Sequence, residues 1–196
     1  IRLIVAFPAG SVTDSLARNV AEPLGRELGQ PVIVDNRPGG NGVVGTMALK
    51  GAAPDGLTMG ILSVTNGALN TYLVRNLGYD PLRDFAHVAF LAQAPYLLVV
   101  PPNSPARTTA ELMELARRRP GELTFSHGNA SSLIGSQQMN AMAGVRMLPV
   151  PSRGGPEALT EVLAGRIDST LTDLVAGLAQ AREGRVRALG VTTREP

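Results

Sequence analysis

Along the chain, short apolar runs rich in β-branched residues alternate with longer stretches of helical character. Runs of the first kind suit buried strands, and one-sided stretches of the second suit helices packed on a sheet. Strands are predicted at "IRLIVAF", "PVIVD", "LTMGILSV", "HVAFL", "YLLVV", "LTFS", "MLPV", "IDSTLT" and "VRALGVTT". Helices are predicted over 13–28, 42–52, 66–75, 108–119, 132–143, 156–164 and 174–183. Several of these end at a glycine, namely Gly29, Gly121, Gly144, Gly165 and Gly184. Glycine enters the left-handed region at a helix C-terminus without steric cost. Thr108-Thr109-Ala110-Glu111 has the form of a capping box at the opposite end of a helix. Regular strand–helix alternation implies parallel sheets covered on both faces, and so an α/β fold.

The alternation breaks once. Residues 86–100 hold two strand candidates with no helix between them, followed by the proline-rich "PPNSPART". Proline cannot continue a sheet interior, so this segment reads as a crossing between a first lobe at 1–100 and a second at 101–196. Each lobe then has on the order of 100 residues, the size of a small domain.

Composition narrows the class. Hydrophobic residues make up 44% and charged ones 17%, the balance of a globular chain. No apolar run approaches the roughly 20 residues of a membrane-spanning helix. The formal charge is +2, with Lys50 the only lysine and the arginines scattered apart from Arg117-Arg118-Arg119. Without a basic stripe, and with 4% aromatic residues, the chain is not built to bind nucleic acid. The absence of cysteine removes disulfides, thiolate catalysis and Cys-ligated metals. A start at Ile1, inside a strand-like run, implies an N-terminus trimmed of any targeting segment.

In open α/β sheets ligands bind beyond the C-terminal ends of parallel strands, so four strand-to-helix turns become candidates. The first, "AFPAGSVTDSLAR", carries Phe7, Gly10, Ser11, Thr13 and Asp14. Gly10 allows close backbone approach and the hydroxyls can hydrogen-bond, but Thr13 as a helix cap with Asp14 on the dipole explains the same residues. The second, with Ser63, Thr65 and Asn66, reads by itself as an ordinary Asn-Gly turn. In the third, Ser126, His127, Gly128, Asn129, Ser131 and Ser132 exceed what one cap requires, which favours a binding role. The fourth offers Ser152, Arg153 and Gly154 before Pro156. Arg153 is either a bidentate carboxylate partner or a solvated surface side chain.

No catalytic set accompanies these turns. His87 and His127 are the only histidines and lack metal-ligand spacing, and neither a G-x-S-x-G elbow nor a phosphate-loop lysine is present. His127 beside Ser126, Ser131 and Ser132 lacks an acid partner for nucleophilic catalysis. Gly40-Asn41-Gly42-Val43-Val44-Gly45 matches G-x-G-x-x-G. However, Asn36-Arg37-Pro38-Gly39 separate it from the preceding strand, and the next strand ends without an acid. A loop packed closely on its helix accounts for these glycines.

Several phrases taken together are more specific. "FPAGSVTD", "LGQPVIVDNRPGGNG", "APDGLT", "YDPLRDFAHVAFLA", "GGPEALTEVLAGRID" and "VRALGVTT" occur in an order and spacing that resemble the Bug-type receptors of tripartite tricarboxylate transporters. The resemblance runs over essentially the whole chain. It implies a two-lobed, type II periplasmic binding protein-like fold that closes on one small carboxylate or amino acid, with no catalysis and no cofactor or metal. It further implies a periplasmic location and a membrane permease or sensor kinase as partner. Carried over by position, the contacts are Phe7, Gly10, Ser11, Thr13 and Asp14, then Thr65 and Asn66. Gly128, Ser131, Ser132, Ser152, Arg153 and Gly154 follow, with Asp173 at the strand end in "STLTDL".

This chain departs from the family pattern at three places. Ser11 stands where a second glycine is usual, and Ser152 where a tyrosine is usual. Asp173 would repel an anionic ligand unless one of the two is protonated, an amine intervenes, or Asp173 stands just outside the pocket. Members also run on beyond "VTT" into the first lobe, whereas this chain stops at Pro196. The expectation is therefore an incomplete first lobe with exposed apolar surface and association of chains to cover it. The alternatives are a nucleotide-binding α/β enzyme using the Gly40–Gly45 loop, or a truncated domain that binds nothing.

Overall fold

The computed structural model describes residues 1–193. The chain divides into two compact α/β units, Ile1–Leu91 and a second from Ala92 onward. The division falls ahead of the proline-rich segment where the sequence places it. The reason is that the strand Tyr96–Val100 pairs entirely within the second sheet.

The first unit runs β1 (Arg2–Val5), α1 (Val12–Leu28), β2 (Ile33–Asn36), a 3-10 turn (Gly40–Gly42), α2 (Val43–Lys50), β3 (Thr58–Ile61), a π turn (Thr65–Leu69) and α3 (Asn70–Leu73). β1 is the middle strand and pairs in parallel with both neighbours, Arg2 lying opposite Ile33 and Thr58. A middle strand is buried on both faces, which is why residues 3–7 form an unbroken apolar run. Leu3 and Val5 pack with Ala17 of α1 and Ile61 of β3. On α2, Gly45 lies so close to β1 that a Cβ would come 2.6 Å from the Ala6 Cα. α1 ends where expected, its Gly29 at φ +61° with the amide returned to the last turn.

Two expectations in this unit fail. "HVAFL" forms no strand, and with no strand beside it Val88 and Phe90 are left 90% and 84% exposed. The helix expected at 66–75 becomes the π turn and the single turn α3. Here the Tyr79 hydroxyl donates to the Asn66 carbonyl at 2.7 Å, taking an acceptor that a regular helix would use.

The second unit runs β4 (Tyr96–Val100), α4 (Thr109–Arg118), β5 (Thr124–His127), α5 (Ala130–Ala143), β6 (Leu148–Pro151), α6 (Gly155–Leu163), β7 (Ser169–Asp173), α7 (Leu174–Arg182) and β8 (Arg187–Val191). The sheet order is β6-β5-β7-β4-β8. β5 is parallel to β6 and β7, but β4 is antiparallel to both β7 and β8, so the sheet is mixed rather than parallel. No helix precedes β4 within the unit, so no crossover fixes its direction. Along β4, Leu98 and Val100 join one core with Leu112, Phe125 and Leu171, while Leu97 and Val99 join another with Leu159, Val162 and Ile167. Thr108 caps α4 by accepting the Glu111 amide at 3.1 Å. Glu111 accepts from the Arg107 amide, one residue ahead of the usual capping-box partner.

Candidate functional site

In the first unit, β1 and β3 are parallel, so the turns that follow them lie at one edge of the sheet. The first turn folds as a tight bend closed by the Ser11 amide donating to the Pro8 carbonyl at 3.1 Å, with Gly10 at φ +78°. Ser11 is the N-cap of α1, its Oγ accepting the Asp14 amide at 3.3 Å and lying 3.1 Å from the Thr13 hydroxyl. Asp14 is buried, and its carboxylate is fully engaged inside the unit. Oδ2 accepts from the Gly10 amide at 2.9 Å and from Arg18 Nε at 3.0 Å, and Oδ1 accepts from Asn36 Nδ2 at 2.9 Å. Arg18 Nη2 completes a bidentate pair at 3.0 Å. Burial alone would raise the Asp14 carboxyl; the bonds from Arg18, Gly10 and Asn36 outweigh it and hold the group below its ordinary value. Asp14 therefore shapes the turn, and Arg18 offsets its charge. The first-turn amides of Val12 and Thr13 have no partner among the described residues.

Phe7 is buried, its ring 3.1 Å from where a Cβ on Gly42 would stand, and its carbonyl accepts from Asn36 Nδ2 at 3.1 Å. In the second turn Asn66 is wholly buried. Its Oδ1 accepts from the Ser63 amide and hydroxyl, both at 2.8 Å, and its Nδ2 donates to Thr46 at 2.8 Å. Asn66 thus ties the π turn to α2. Thr65 is buried beside it. The Gly40–Gly45 loop spends its amides on itself, Gly42 and Val44 both donating to the Gly39 carbonyl. Gly42 and Gly45 are occupied in packing against Phe7, Asn66 and Ala6. Nothing in this loop favours the nucleotide-binding alternative.

In the second unit β5, β6 and β7 all end at one edge, and the reversed β4 brings its first residue, Tyr96, to the same edge opposite Asp173. The third and fourth turns are joined there. Ser126 and Ser152 hydroxyls lie 2.7 Å apart, the Ser152 amide donates to the His127 carbonyl at 2.9 Å, and Gly128 lies against the backbone of Gly154 and Gly155. Asn129 caps α5 by accepting the Ser132 amide at 2.9 Å, and the buried Ser132 hydroxyl donates to the Asn129 carbonyl at 3.0 Å. Ser131 is half-buried and hydrogen-bonded to Tyr96. Burial pushes the half-buried His127 down from its ordinary value. Each serine near it has another partner, which leaves the Ser–His arrangement without a nucleophile–base pair.

Two charged candidates find local partners. The Arg153 side chain is 93% exposed and turns to Glu157 in the first turn of the following helix α6 at 3.3 Å, so it is not aimed into the turn cluster. Asp173 caps α7, its Oδ1 accepting the Ala176 amide at 2.8 Å. Sequence reasoning missed Tyr96 and Asn36. Tyr96 sits in an apolar strand whose direction no periodicity reveals, and Asn36 acts through a bond to Asp14. No three His, Asp or Glu residues among the described residues are grouped to hold a metal ion.

Two α/β units whose helices begin at the edges where strands end define a periplasmic binding protein-like fold. The chain matches the model of the tripartite tricarboxylate transporter family receptor over residues 16–196, and it belongs to that family. It is 33% identical over 205 residues to the protein BugT of Bordetella pertussis, covering 100% of this chain and 61% of BugT. Among solved structures it is similar to Rhodopseudomonas palustris Rpa4515 with adipate, at 33% identity and TM-score 0.96, over 99% of this chain and 66% of that one. It is also similar to MatC from the same organism with bound malate, at 27% identity and TM-score 0.92, over 100% and 67%. The chain spans 58 to 61% of the length of the first curated relatives it matches.

Proposed function

We propose that this chain is an extracytoplasmic receptor that binds a small carboxylate at its strand-to-helix turns without transforming it. The observation that carries the reading is the gathering of helix starts at sheet edges. α1 presents the amides of Val12 and Thr13, which have no partner among the described residues, and α5, α6 and α7 start together at the edge of the second sheet. Helix N-termini favour anions. The adipate and malate held by the two similar structures support a carboxylate as the ligand class. Gly10, Ser11 and Thr13 in the first unit, and Gly128, Ser131, Ser152 and Gly154 in the second, are the contacts we assign, while Asp173 serves as the cap of α7. Phe7, Asp14, Thr65, Asn66 and Ser132 serve by holding the turns in shape.

The family's transporter role supports a membrane permease as partner and a periplasmic location for this chain. Self-association through the exposed apolar side chains of the first unit belongs to the same proposal. Micromolar affinity requires about −8 kcal/mol, which a few charge-assisted hydrogen bonds of roughly 1.5–3 kcal/mol each supply after association costs. The test is a thermal melt at fixed ionic strength against malate, adipate, glutamate and ATP. A bound carboxylate at about 100 times its dissociation constant stabilises the fold by roughly 2.7 kcal/mol. A shift with ATP and none with any carboxylate would overturn the reading.

A further inference from the structure

We propose that Tyr96 is a positioning residue of the carboxylate site, acting through Asn129, whose side-chain amide it fixes as a donor to the ligand. This rests on the carboxylate-receptor reading above. Tyr96 reaches Asn129 from another strand, its hydroxyl 3.2 Å from Asn129 Oδ1. The same oxygen accepts the Ser132 amide at 2.9 Å. With two donors converging on Oδ1, the amide has a single orientation, because reversing it would set Nδ2 against the Ser132 N–H. The two N–H groups of Nδ2 then point away from the cap, and they have no partner among the described residues. They are carried at the edge where Ser131, Ser152, Gly154 and Asp173 lie.

Residue chemistry separates this role from capping. Serine, threonine or aspartate would cap α5 as well as asparagine does, but aspartate has no N–H to donate and a hydroxyl offers one O–H on a shorter side chain, whereas asparagine caps with its oxygen and extends two N–H groups from the other end. The phenol is suited to hold it. Burial first, with the Asp173 charge adding to it, raises the Tyr96 hydroxyl above its ordinary value, so it remains a donor through the neutral range. Asp173 lies directly across the strand pair from Tyr96 and spends Oδ1 on its own helix. A neutral amide donor at this edge can therefore meet a ligand carboxylate without adding charge.

Calorimetric titration with malate and with adipate tests the inference, using whichever probe shifts the melt of the unaltered chain. Asn129→Ser keeps the cap but replaces the two amide N–H groups by one hydroxyl on a shorter side chain, and should weaken binding about ten- to one-hundred-fold. Tyr96→Phe should weaken it about three- to tenfold with the melting midpoint nearly unchanged. The decisive variant is the double one: Tyr96→Phe added to Asn129→Ser should cost no further affinity, since the tyrosine acts only through the asparagine. In the unaltered chain the Asn129 side-chain amide resonances should move on ligand addition. If the probe binds and both single variants bind it equally well, the role of Tyr96 is overturned and the carboxylate reading stands. If the unaltered chain binds neither probe, both fall together.

Discussion

A Cβ placed on Gly128 would lie 2.1 Å from the carbonyl carbon of Gly154 and 2.2 Å from the Gly155 nitrogen. The third and fourth turns thus touch backbone to backbone, and only glycine at position 128 permits it. Gly128→Ala should cost about 3 kcal/mol, because the obstruction is main chain and cannot swing aside. It should also separate Ser152 from the His127 carbonyl and lower carboxylate affinity. Gly155→Ala is the control, since nothing lies within 4 Å of its Cβ and α6 begins there. That variant should fall within about 0.5 kcal/mol of the unaltered chain in a urea melt. Equal midpoints for the two variants would contradict the close approach.

Arg153 stands in the same turn, yet its guanidinium is solvated and paired with Glu157. The Glu157 carboxyl is held below its ordinary value first by the Arg153 amide and then by the Arg153 side chain, so the pair is a closed local unit. Exposed pairs of this kind add little. Arg153→Ala should leave the melting midpoint unchanged and alter malate or adipate affinity by less than about threefold. A loss of tenfold or more in a titration at fixed salt would make Arg153 a direct ligand partner.

What could be read from the sequence followed burial. β1 and β4 are covered on both faces, and so "LIVAF" and "YLLVV" appear as unbroken apolar runs. Helix ends at Gly29 and Gly144 could be placed because the left-handed cap is a property of one residue. Strand direction and partnership are not local. Nothing in "YLLVV" tells that β4 runs against β7, and nothing in "HVAFL" tells that it lacks a neighbour. In the site, the turns could be located, but the destinations of their charged side chains could not, although Asp14–Arg18 and Arg153–Glu157 both have the four-residue spacing of helical ion pairs. The π turn depended on Tyr79, thirteen residues beyond Asn66.

Val88 and Phe90 project from the unpaired segment at the end of the first unit, with Leu82 79% exposed nearby in sequence. Three large apolar side chains so exposed favour burial against a second surface. Light scattering should show apparent mass rising with concentration, and Val88→Lys with Phe90→Glu should abolish the rise without lowering the melting midpoint. A constant monomer mass over the whole range would exclude association through this segment.

Asp14 supplies a pH signature for the first turn. Its folded-state value lies below the ordinary 3.8, so its contribution to stability is complete above the unfolded value, near pH 4, and is lost as pH falls through the folded one. Asp14→Asn removes the charge and sets an amide N–H against donors from Gly10, Arg18 or Asn36. At pH 7 the loss should be about 2–3 kcal/mol, the cost of leaving buried donors unpaired. Urea midpoints of the two proteins should converge on acidification, because protonation gives the unaltered chain the same defect. The turn would also lose its shape, since the Gly10 amide at φ +78° is held by this carboxylate, and carboxylate affinity should drop with the stability. A stability difference constant from pH 7 down to about pH 2.5 would mean that the Asp14 charge does not hold the turn.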